Sequence, residues 1–383
     1  MRPVRLAVVV SHPIQYYAPL FRALAQRIDL HVFFGQTLTA AQQASAGFDT
    51  AFDWDVDLVS GYRSTFLNNV ATKPGPDHFF GCDTPEIGAL LKNGAFDAVL
   101  VFGWYLKTLH QAIWAAKRLG IPVLVRGDSQ LGLPRNLLAQ AAKAVAYPPM
   151  LRAFDAALYV GKRSRDYYER YRYPARQLFF SPHCVDSSWF AARATTEAGL
   201  DLRTSLGIGP DEKVILFAGK LLPFKRPLDV VDACGGISGV HVLIAGTGEL
   251  EGALVERAAS LRVQLHRLGF LNQTKMPAAY AAADLLVLPS TQRETWGLVT
   301  NEALACGTPV IVSEAVGCAP DLAADGIAGR SFPLGDVAAL RRTIVEALND
   351  PPEAAAVAAK SDAYGLGAAV DGVEAGLAAV TRG

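Results

Sequence analysis

The residues best suited to chemistry are two glutamates, Glu294 and Glu302, with seven residues between them. The pattern around them predicts a polar loop that carries Glu294 and a helix that carries Glu302 about one and a half turns in. The first N–H groups of a helix lack helical partners and favour an anion; here they belong to Gly297, Leu298 and Val299. A carboxylate accepts two hydrogen bonds and suits neighbouring sugar hydroxyls. The stretch therefore predicts a diphosphate at the helix start, with one glutamate on a hexose and the other on a ribose.

Two lysines supply the matching positive charge. Lys220 and Lys225 follow an apolar run at 214–218 and a glycine, Gly219. Cations and backbone N–H groups at such a strand end can bind a diphosphate. The alternative is an exposed basic turn, just as either glutamate taken singly could be ordinary surface charge.

A second glycine turn follows the next apolar run. Its glycines, Gly246 and Gly248, let the backbone approach a ligand closely. The turn lacks the full G-x-G-x-x-G pattern, and no ribose-binding acid stands about 20 residues later at the end of the next strand. A nicotinamide cofactor site is therefore not favoured, and no cofactor is expected.

Parallel strands are the elements that must position these residues. Short apolar or β-branched runs alternate with helical stretches in both halves, as a parallel sheet covered on both faces requires. The predicted strands are Leu6–Val10, Leu30–Phe34, Ala98–Phe102, Pro122–Val125, Ala156–Val160, Val214–Ala218, Val240–Ile244, Leu285–Leu288 and Pro309–Val312. Each half is therefore expected to be an α/β, Rossmann-like doubly wound domain whose ligands bind beyond the carboxyl ends of its strands.

The length of 383 residues exceeds one ordinary core, so two domains facing across a cleft are expected. A stretch rich in small and polar residues without a strand pattern marks the seam. The predicted divisions are an N-terminal domain over 1–186, a linker over 187–212, a C-terminal domain over 213–365, and a helix over 366–383 that packs back towards the N-terminal domain.

Five motifs follow one another along residues 214–326: FAGKLLPFKRP, IAGTGEL, LGFLNQ, the E-x7-E of the two glutamates, and NEALACGTPVIVSEAVG. In order and spacing they resemble the C-terminal domain of the retaining GT-B glycosyltransferases of family 4. Two positions depart from the family pattern: Arg226 stands where a glycine is usual, and the acid after the last glycine loop is Asp321 in GCAPDL.

The resemblance implies a nucleotide-sugar donor in the C-terminal domain and an acceptor on the N-terminal domain. Lys220 and Lys225 would neutralise the donor diphosphate, and Glu294 would bind the transferred sugar. Glu302 would bind the ribose, and backbone around Gly269–Leu271, including Phe270 and Leu271, would meet the base. Lys225 and Glu294 are accordingly the catalytic candidates of this half.

In the first half, polar residues follow two of the predicted strands. His12 and Gln15 come after Leu6–Val10, and Arg126 and Asp128 come after Pro122–Val125. His12 is a candidate for orienting a phosphate or a hydroxyl, the alternative being a helix cap. Asp128 is a candidate for accepting the acceptor's proton or binding a sugar hydroxyl, the alternative being a loop cap. We count His12 and Asp128 among the catalytic candidates, and Gln15, Arg126 and Asp128 as acceptor-side.

Two further features of the first half are ambiguous. Trp104 and Tyr105 could stack on an acceptor sugar or pack in the core, and we place Trp104 on the acceptor side. His183 reads as structure between the domains, with substrate contact as the alternative. The acids of DWDVD (53–57) resemble the metal motif of a different glycosyltransferase fold, but they lack its context. We expect them on the solvent side and predict no metal.

The distribution of charge and the cysteine content indicate which partners and which cell compartment to expect. The chain is neutral overall, but residues 117–176 hold 12 basic and 4 acidic residues. This is either a solvated surface or one that approaches an anionic membrane or acceptor; no nucleic-acid motif accompanies it. Five cysteines without a C-x-x-C pair indicate reduced thiols. The apolar run at the start is too short for a signal peptide. We expect a cytoplasmic protein, peripheral on the inner face of the membrane where it touches one.

The sequence thus predicts transfer of a hexose-type sugar from a nucleoside diphosphate sugar to a saccharide or lipid-linked acceptor, with retention at the anomeric carbon. A nucleotide-sugar epimerase of the same fold and a non-catalytic nucleotide-sugar-binding protein are the alternatives. Release of nucleoside diphosphate that needs an acceptor separates the three.

Overall fold

The computed structural model describes residues 3–40, 52–132 and 137–381. They fold into two compact units. Unit 1 comprises Met1–Gln42, Asp57–His183 and Leu366–Gly383, and unit 2 comprises Gln43–Val56 and Cys184–Gly365. The second unit therefore takes a short segment from the first half of the sequence, and the first unit takes the last helix of the chain.

Unit 1 is built on a seven-stranded parallel sheet. Its strands are β1 (Arg5–Val10), β2 (Asp29–Phe34), β3 (Arg63–Phe66), β4 (Ala98–Phe102), β5 (Val123–Gly127), β6 (Ala156–Tyr159) and β7 (Leu178–Phe180). Their order is β3-β2-β1-β4-β5-β6-β7, and β1 pairs with β2 on one side and β4 on the other. The order of connection reverses between β1 and β4, and sheets of this kind bind ligands at such a switch point.

Unit 2 is built on a six-stranded parallel sheet in the order β10-β9-β8-β11-β12-β13. Its strands are β8 (Lys213–Ala218), β9 (Val240–Ala245), β10 (Gln264–Gly269), β11 (Leu285–Leu288), β12 (Val310–Ser313) and β13 (Gly329–Phe332). The switch point of this sheet lies between β8 and β11, whose register pairs Ile215 with Leu285. Two doubly wound α/β units are therefore confirmed.

Helices connect the parallel strands of both sheets, because a parallel neighbour can be reached only by a crossover. In the described part of the chain they are α1 (Tyr17–Ala25), α2 (Ile87–Gly94), α3 (Lys107–Arg118), α4 (Leu137–Leu151), α5 (Lys162–Arg170), α6 (Ser187–Ala191), α7 (Thr196–Ser205), α8 (Pro227–Cys234), α9 (Glu251–Leu261), α10 (Met276–Ala282), α11 (Val299–Ala305), α12 (Ala319–Leu322), α13 (Val337–Asn349), α14 (Ala354–Ala363) and α15 (Leu366–Thr381). Within the described residues, none has the length and apolar character that a bilayer crossing requires.

Glycines explain how closely the last helix, α15, approaches the sheet of unit 1. A Cβ added at Gly372 would lie 1.8 Å from the Phe180 carbonyl oxygen, and one at Gly376 would lie 2.9 Å from Leu158. The hydroxyl of Ser181 donates to the Ala369 carbonyl of this helix at 2.8 Å. A larger side chain at Gly372 would push the helix off β7, so the helix and the edge of the sheet are fitted to each other.

Residues 187–212, the expected linker, contain α6 and α7 of unit 2. Both helices begin with a side-chain cap: the Asp186 carboxylate accepts from Trp189 N, and Thr195 Oγ1 accepts from Ala198 N. A Cβ at Gly199 would lie 2.6 Å from the Ala281 carbonyl oxygen. Helix α7 therefore packs directly on α10 as part of unit 2.

Candidate functional site

Backbone hydrogen bonds tie together the loops that follow β8, β9 and β10. Gly219 N donates to Ala245 O at 2.9 Å, and Leu221 N donates to Thr247 O at 2.8 Å. One strand further out, Gly246 N donates to Gly269 O at 2.8 Å. The loops that carry Gly219, Gly246 and the predicted base-binding residues therefore form one connected edge, which limits how far each can move on its own.

The predicted donor-site glycines are needed for this contact between loops. Gly246 has φ 152° and Gly248 has φ 150°, where side-chain-bearing residues are strained. A Cβ at Gly246 would lie 1.9 Å from Gly219 O, and one at Gly248 would lie 2.8 Å from Leu221 O. The sequence interpretation considered only the approach of a ligand. The structure adds an independent reason for glycine at both positions, namely the approach of the neighbouring loop.

The structure brings Lys225 and Glu294 together. Lys225 ends the 3-10 turn Pro223–Lys225 that follows β8, and its Nζ donates to Glu294 Oε2. Each side chain is 15% exposed. The two loops are also joined through backbone, since Thr291 N donates to Phe224 O at 2.8 Å. A cation and a carboxylate separated by 69 positions thus form a largely buried ion pair at the carboxyl end of the sheet.

The loop that carries Glu294 is held from its other side by residues 316–318. Gly317 N donates to Glu294 O at 3.0 Å, and Cys318 N donates to Trp296 O at 3.1 Å. A Cβ at Gly317 would lie 1.7 Å from the Thr295 carbonyl oxygen, so this close approach requires glycine. With its backbone bonded on two sides, Glu294 is held in position by the protein itself.

Helix α11 begins at Val299, later than the sequence suggested, so Glu302 lies in its first turn. Gly297 precedes it with φ 94°, and its carbonyl accepts from Thr300 N at 2.9 Å. Glu302 is 5% exposed, and its carboxylate accepts from the Tyr280 hydroxyl at 2.6 Å. Leu298 caps the helix and Val299 is its first residue, while Gly297 lies before it. The ribose-binding role of Glu302 stays a prediction. Its carboxylate already accepts a hydrogen bond from within the protein.

Lys220 and the predicted base loop lie on the same edge of the sheet. Lys220 follows Gly219 directly, and its carbonyl accepts from Leu222 N at 2.9 Å. Phe270 and Leu271, the two residues after β10, are partly buried. The Phe270 ring lies 4.5 Å from the ring of Phe52, between ring centres.

The acids of DWDVD are exposed, as expected, but two of them bind the base loop. The Asp53 carbonyl accepts from the Asn272 side chain at 2.7 Å, and the Asp55 carboxylate accepts from Thr274 N at 3.1 Å. Asp57 bonds locally to Val59 N at 3.0 Å, and these bonds lower the pKa of its carboxyl group. The expectation of solvent-side acids was therefore incomplete, because it assigned them no structural contact.

In unit 1, His12 and Gln15 lie in the loop between β1 and α1. His12 is partly buried, and its Nδ1 lies 2.9 Å from Ser11 Oγ. Burial lowers the pKa of His12 to about 4, so the imidazole is neutral at pH 7. A neutral imidazole can hydrogen-bond a hydroxyl but gives a phosphate no positive charge.

Arg126 ends up with its guanidinium inside unit 1. It is buried, Nε donates to Ser181 Oγ at 3.2 Å, and Nη2 donates to the Pro182 carbonyl at 2.5 Å. These bonds hold the segment that follows β7. The geometry favours a structural role for Arg126 over the acceptor contact predicted from its place after β5.

Asp128 lies near a residue that the sequence interpretation treated separately. His183 Nε2 is 4.0 Å from Asp128 Oδ2. Burial, and next the charge of Arg126, lower the pKa of His183 to about 3, which makes it a neutral neighbour of the carboxylate. No spacing in the sequence signals this pair, because it forms only when the ends of β5 and β7 are folded onto one edge of the sheet.

The rings of Trp104 and Tyr105 lie in different environments. Trp104 is partly buried, with its ring 5.9 Å from Phe154 and 6.4 Å from Tyr167 between centres. Tyr105 is exposed, and its hydroxyl donates to the Asp77 carbonyl at 2.6 Å. The packing alternative therefore accounts for most of the Trp104 surface, and Tyr105 carries the accessible ring.

Known proteins match the second unit in sequence and the whole chain in fold. Residues 200–363 match the family model described as glycosyl transferases group 1. A D-inositol 3-phosphate glycosyltransferase from Mycolicibacterium smegmatis is 37% identical over 160 residues, which are 40% of this chain and 36% of that relative. The chain thus spans little more than a third of the length of this curated relative.

Two solved structures resemble the chain in fold. HepE from Anabaena, in complex with UDP and glucose, covers 97% of this chain and 98% of its own, with a TM-score of 0.69 and 16% identity. WaaG, a glycosyltransferase involved in lipopolysaccharide biosynthesis, covers 93% of both chains, with a TM-score of 0.61 and 16% identity. At such identities the likeness concerns the fold. Residues 200–363 therefore match the glycosyl transferases group 1 family, and the chain as a whole has the GT-B fold of these solved structures.

Proposed function

We propose that this protein transfers a hexose-type sugar from a nucleoside diphosphate sugar to a saccharide or lipid-linked acceptor, with retention at the anomeric carbon. The single observation that carries the proposal is the ion pair of Lys225 and Glu294 beside the connected loops of Gly219 and Gly246. A cation for the diphosphate and a carboxylate for sugar hydroxyls stand side by side there, which is the combination that a sugar diphosphate requires.

In the proposed reaction the bond from the anomeric carbon to the diphosphate oxygen breaks, and the acceptor oxygen bonds to that carbon on the same face. The departing diphosphate gains negative charge. Lys225, Lys220 and the N–H groups at 297–299 stabilise that charge, and the barrier falls because they are already oriented. Protein cations take the role that a divalent ion has in other transferases, so we propose a reaction without a metal or another cofactor.

On unit 1, we assign the acceptor to the edge that carries His12 and Asp128. Asp128 accepts the proton that the acceptor hydroxyl loses, or holds a neighbouring hydroxyl, while the neutral imidazole of His12 orients a hydroxyl without repelling it. Gln15 and Tyr105 are the remaining polar and aromatic groups proposed to contact the acceptor. Tyr105 enters this list because its ring, unlike that of Trp104, is exposed.

Related proteins suggest a donor to test but no acceptor for this protein. A solved neighbour carries UDP and glucose, so a uridine diphosphate sugar is the first donor to test. The family match lies at residues 200–363, which leaves Asp128 and His12 outside it. No acceptor is therefore carried over from the inositol phosphate enzymes.

The test measures release of nucleoside diphosphate from UDP-glucose, UDP-galactose, UDP-N-acetylglucosamine and GDP-mannose, with and without saccharide and lipid-linked acceptors. We expect one donor to raise the melting temperature by mass action and to release its diphosphate at a rate that depends on an acceptor. Change of the sugar's configuration without an acceptor would identify an epimerase, and tight binding without turnover would identify a non-catalytic binder. Either result would overturn the proposal.

We also propose that unit 1 contacts an anionic membrane at the cytoplasmic face. Helix α4 exposes apolar side chains, with Leu138 82% and Val145 78% accessible. Helix α5, which carries several basic residues, packs beside it, and the rings of Tyr147 in α4 and Tyr167 in α5 lie 6.3 Å apart between centres. Exposed apolar groups next to an excess of positive charge are typical of peripheral contact with anionic lipid. A lipid-linked acceptor would lie at that surface.

Vesicle sedimentation tests this contact. Val145→Glu should reduce binding to vesicles that contain phosphatidylglycerol and leave the weak binding to pure phosphatidylcholine unchanged. Val255→Glu is the matched control, because Val255 is an exposed valine of α9 in unit 2. Equal binding by the parent to both kinds of vesicle would contradict the proposal, and self-association abolished by Val145→Glu would instead identify an interface between copies.

A further inference from the structure

Residues 52–55, hereafter the 52–55 segment, belong by sequence to the first half of the chain but fold with unit 2. Three hydrogen bonds join the segment to the residues that follow β10. Asn272 Nδ2 donates to the Asp53 carbonyl at 2.7 Å, and Thr274 N donates to Asp55 Oδ2 at 3.1 Å. The Thr274 hydroxyl donates to the same carboxylate. The Asp55 carboxylate therefore accepts from both the backbone N–H and the hydroxyl of Thr274, which lies inside the 3-10 turn Gln273–Lys275.

Aromatic packing completes the attachment. Phe52 is buried, and its ring centre lies 4.5 Å from that of Phe270, with an interplanar angle of 40°. Trp54 meets Phe52 edge-on, with ring centres 4.9 Å apart. Ring pairs at these distances attract beyond the burial of their surface. The Phe270 ring is thus supported from behind by a ring from a distant part of the sequence, while part of it remains accessible.

Regular strand structure ends where the loop between Gly269 and Asn272 begins. Strand β10 shifts register between Arg267 and Gly269, and Gly269 takes a φ of 67°, so regular pairing ends there. Gly269 O is bonded to Gly246 N, and regular structure resumes at Gln273. An irregular loop of this kind has conformational freedom that a ligand must remove on binding. Contacts at Phe270, Asn272 and Thr274 remove part of it in advance.

We infer that the 52–55 segment fixes the loop at 270–272 and thereby sets the affinity and nucleobase preference of the donor site. The inference rests on the proposed function together with the expectation, implied by the sequence resemblance, that the backbone around Gly269–Leu271 meets the base. Phe52 and Asp55 act as positioning residues: Phe52 fixes the ring of Phe270, and Asp55 fixes the turn that ends the loop. Nucleobase discrimination needs hydrogen-bonding groups held in one place, and a loop free to readjust would accept several bases.

The experiment titrates UDP, ADP and GDP into the parent, Asp55→Ala and Asp53→Ala proteins, following the heat of binding. Asp53→Ala is the matched control, since it removes the same charge from the same segment while the bond to Asn272 uses the backbone carbonyl. We expect Asp55→Ala to bind the preferred diphosphate about fivefold more weakly, as for loss of a capping carboxylate, and to discriminate less between bases. Asp53→Ala should bind as the parent does. Phe52→Leu, which keeps an apolar group but loses the ring contact, should also discriminate less.

The outcomes separate the inference from the proposed function. If Asp55→Ala lowers the melting temperature but leaves the affinities and their ratio unchanged, the segment is merely structural and the inference fails. Equal loss in Asp55→Ala and Asp53→Ala would indicate a general charge effect and would also overturn it. If the parent binds none of the three diphosphates, the proposed function fails first and the inference falls with it.

Discussion

The ion pair of Lys225 and Glu294 makes a specific prediction. Replacing either residue should lower stability by a similar amount, whereas the two replacements should differ in their effect on donor binding. Each side chain is 15% exposed, so neither is fully solvated when the other is removed. Truncating one partner of a fully buried pair costs about 3–5 kcal/mol, and exposed pairs are worth about 0–1 kcal/mol. For this largely buried pair, which keeps some contact with solvent, we expect Lys225→Met or Glu294→Gln to lower the free energy of unfolding by about 1–3 kcal/mol. In a unit of this size that lowers the melting temperature by about 2–4 °C per kcal/mol.

The double variant Lys225→Met/Glu294→Gln tests the physical reason. It removes both charges, so no charge is left without its partner, and its stability should lie closer to the parent's than the sum of the two single losses predicts. Its activity should not recover. Loss of one preorganised group that stabilises transition-state charge costs about 100- to 1000-fold in kcat, and the double variant lacks that group.

The assays are thermal unfolding and acceptor-dependent release of nucleoside diphosphate, for the parent, both single variants and the double variant. Binding of UDP alone adds a third measurement. Glu294→Gln frees Lys225 from its carboxylate, so this variant should bind UDP at least as tightly as the parent while turning over far more slowly. A Lys225→Met protein with the parent's kcat would refute the assignment. So would a double variant that regains activity along with its stability.

Three other outcomes are expected. Gly246→Ala should lose at least about 2 kcal/mol of stability, because its Cβ would lie 1.9 Å from Gly219 O. The control Gly252→Ala, whose Cβ meets nothing within 4 Å, should unfold at the parent's temperature. Equal melting curves for the two variants would show that the loops adjust freely. The folded pKa of His12, about 4, lies below its ordinary value, so its contribution to stability is present above pH 6.5 and is lost as pH falls from there through 4; a His12→Gln protein should lose less stability over that interval in urea titrations, and parallel curves would contradict the burial argument. Tyr280→Phe removes the hydroxyl that donates to Glu302, which should lower the free energy of unfolding by about 1–3 kcal/mol. It should also raise KM for the donor more than it lowers kcat. A loss of stability with no change in KM would show that Glu302 does not contact the donor.

The interior strands were predictable from sequence because both of their faces are buried. The runs at β1, β4, β8, β9, β11 and β12 are almost purely apolar, and their predicted bounds agree with the structure to within a residue or two. The strands that the sequence did not predict, β3, β7, β10 and β13, lie at or next to the edges of the two sheets. An outer strand meets solvent and may carry polar residues, as RSTF and QLHRLG do. Their pattern is therefore not distinct from that of a loop.

The site was predictable where its residues follow strands, and not where distant segments meet. Lys225 and Glu294 could be proposed from their motifs, but their contact depends on the crossing of two loops. The role of Asp55 depends on Thr274, 219 positions away, and no local pattern carries that information. Arg126 shows the converse: its place after β5 suggested a ligand contact, and its burial against Ser181 and Pro182 was not visible in the sequence.

The ion pair also implies an order of events at the donor site. Lys225 is bonded to Glu294, so in the proposed donor site a diphosphate that binds the lysine must compete with the carboxylate for it. In this proposal the diphosphate takes Lys225 from Glu294, and the carboxylate of Glu294 then accepts hydrogen bonds from the sugar hydroxyls of the same ligand. The cost of breaking the pair is then met by two interactions that only a sugar diphosphate supplies together, because free phosphate lacks the hydroxyls and a free sugar lacks the charge. An ion pair that weakens the binding of either fragment alone thus favours the complete donor, which is how selectivity follows from a difference between affinities.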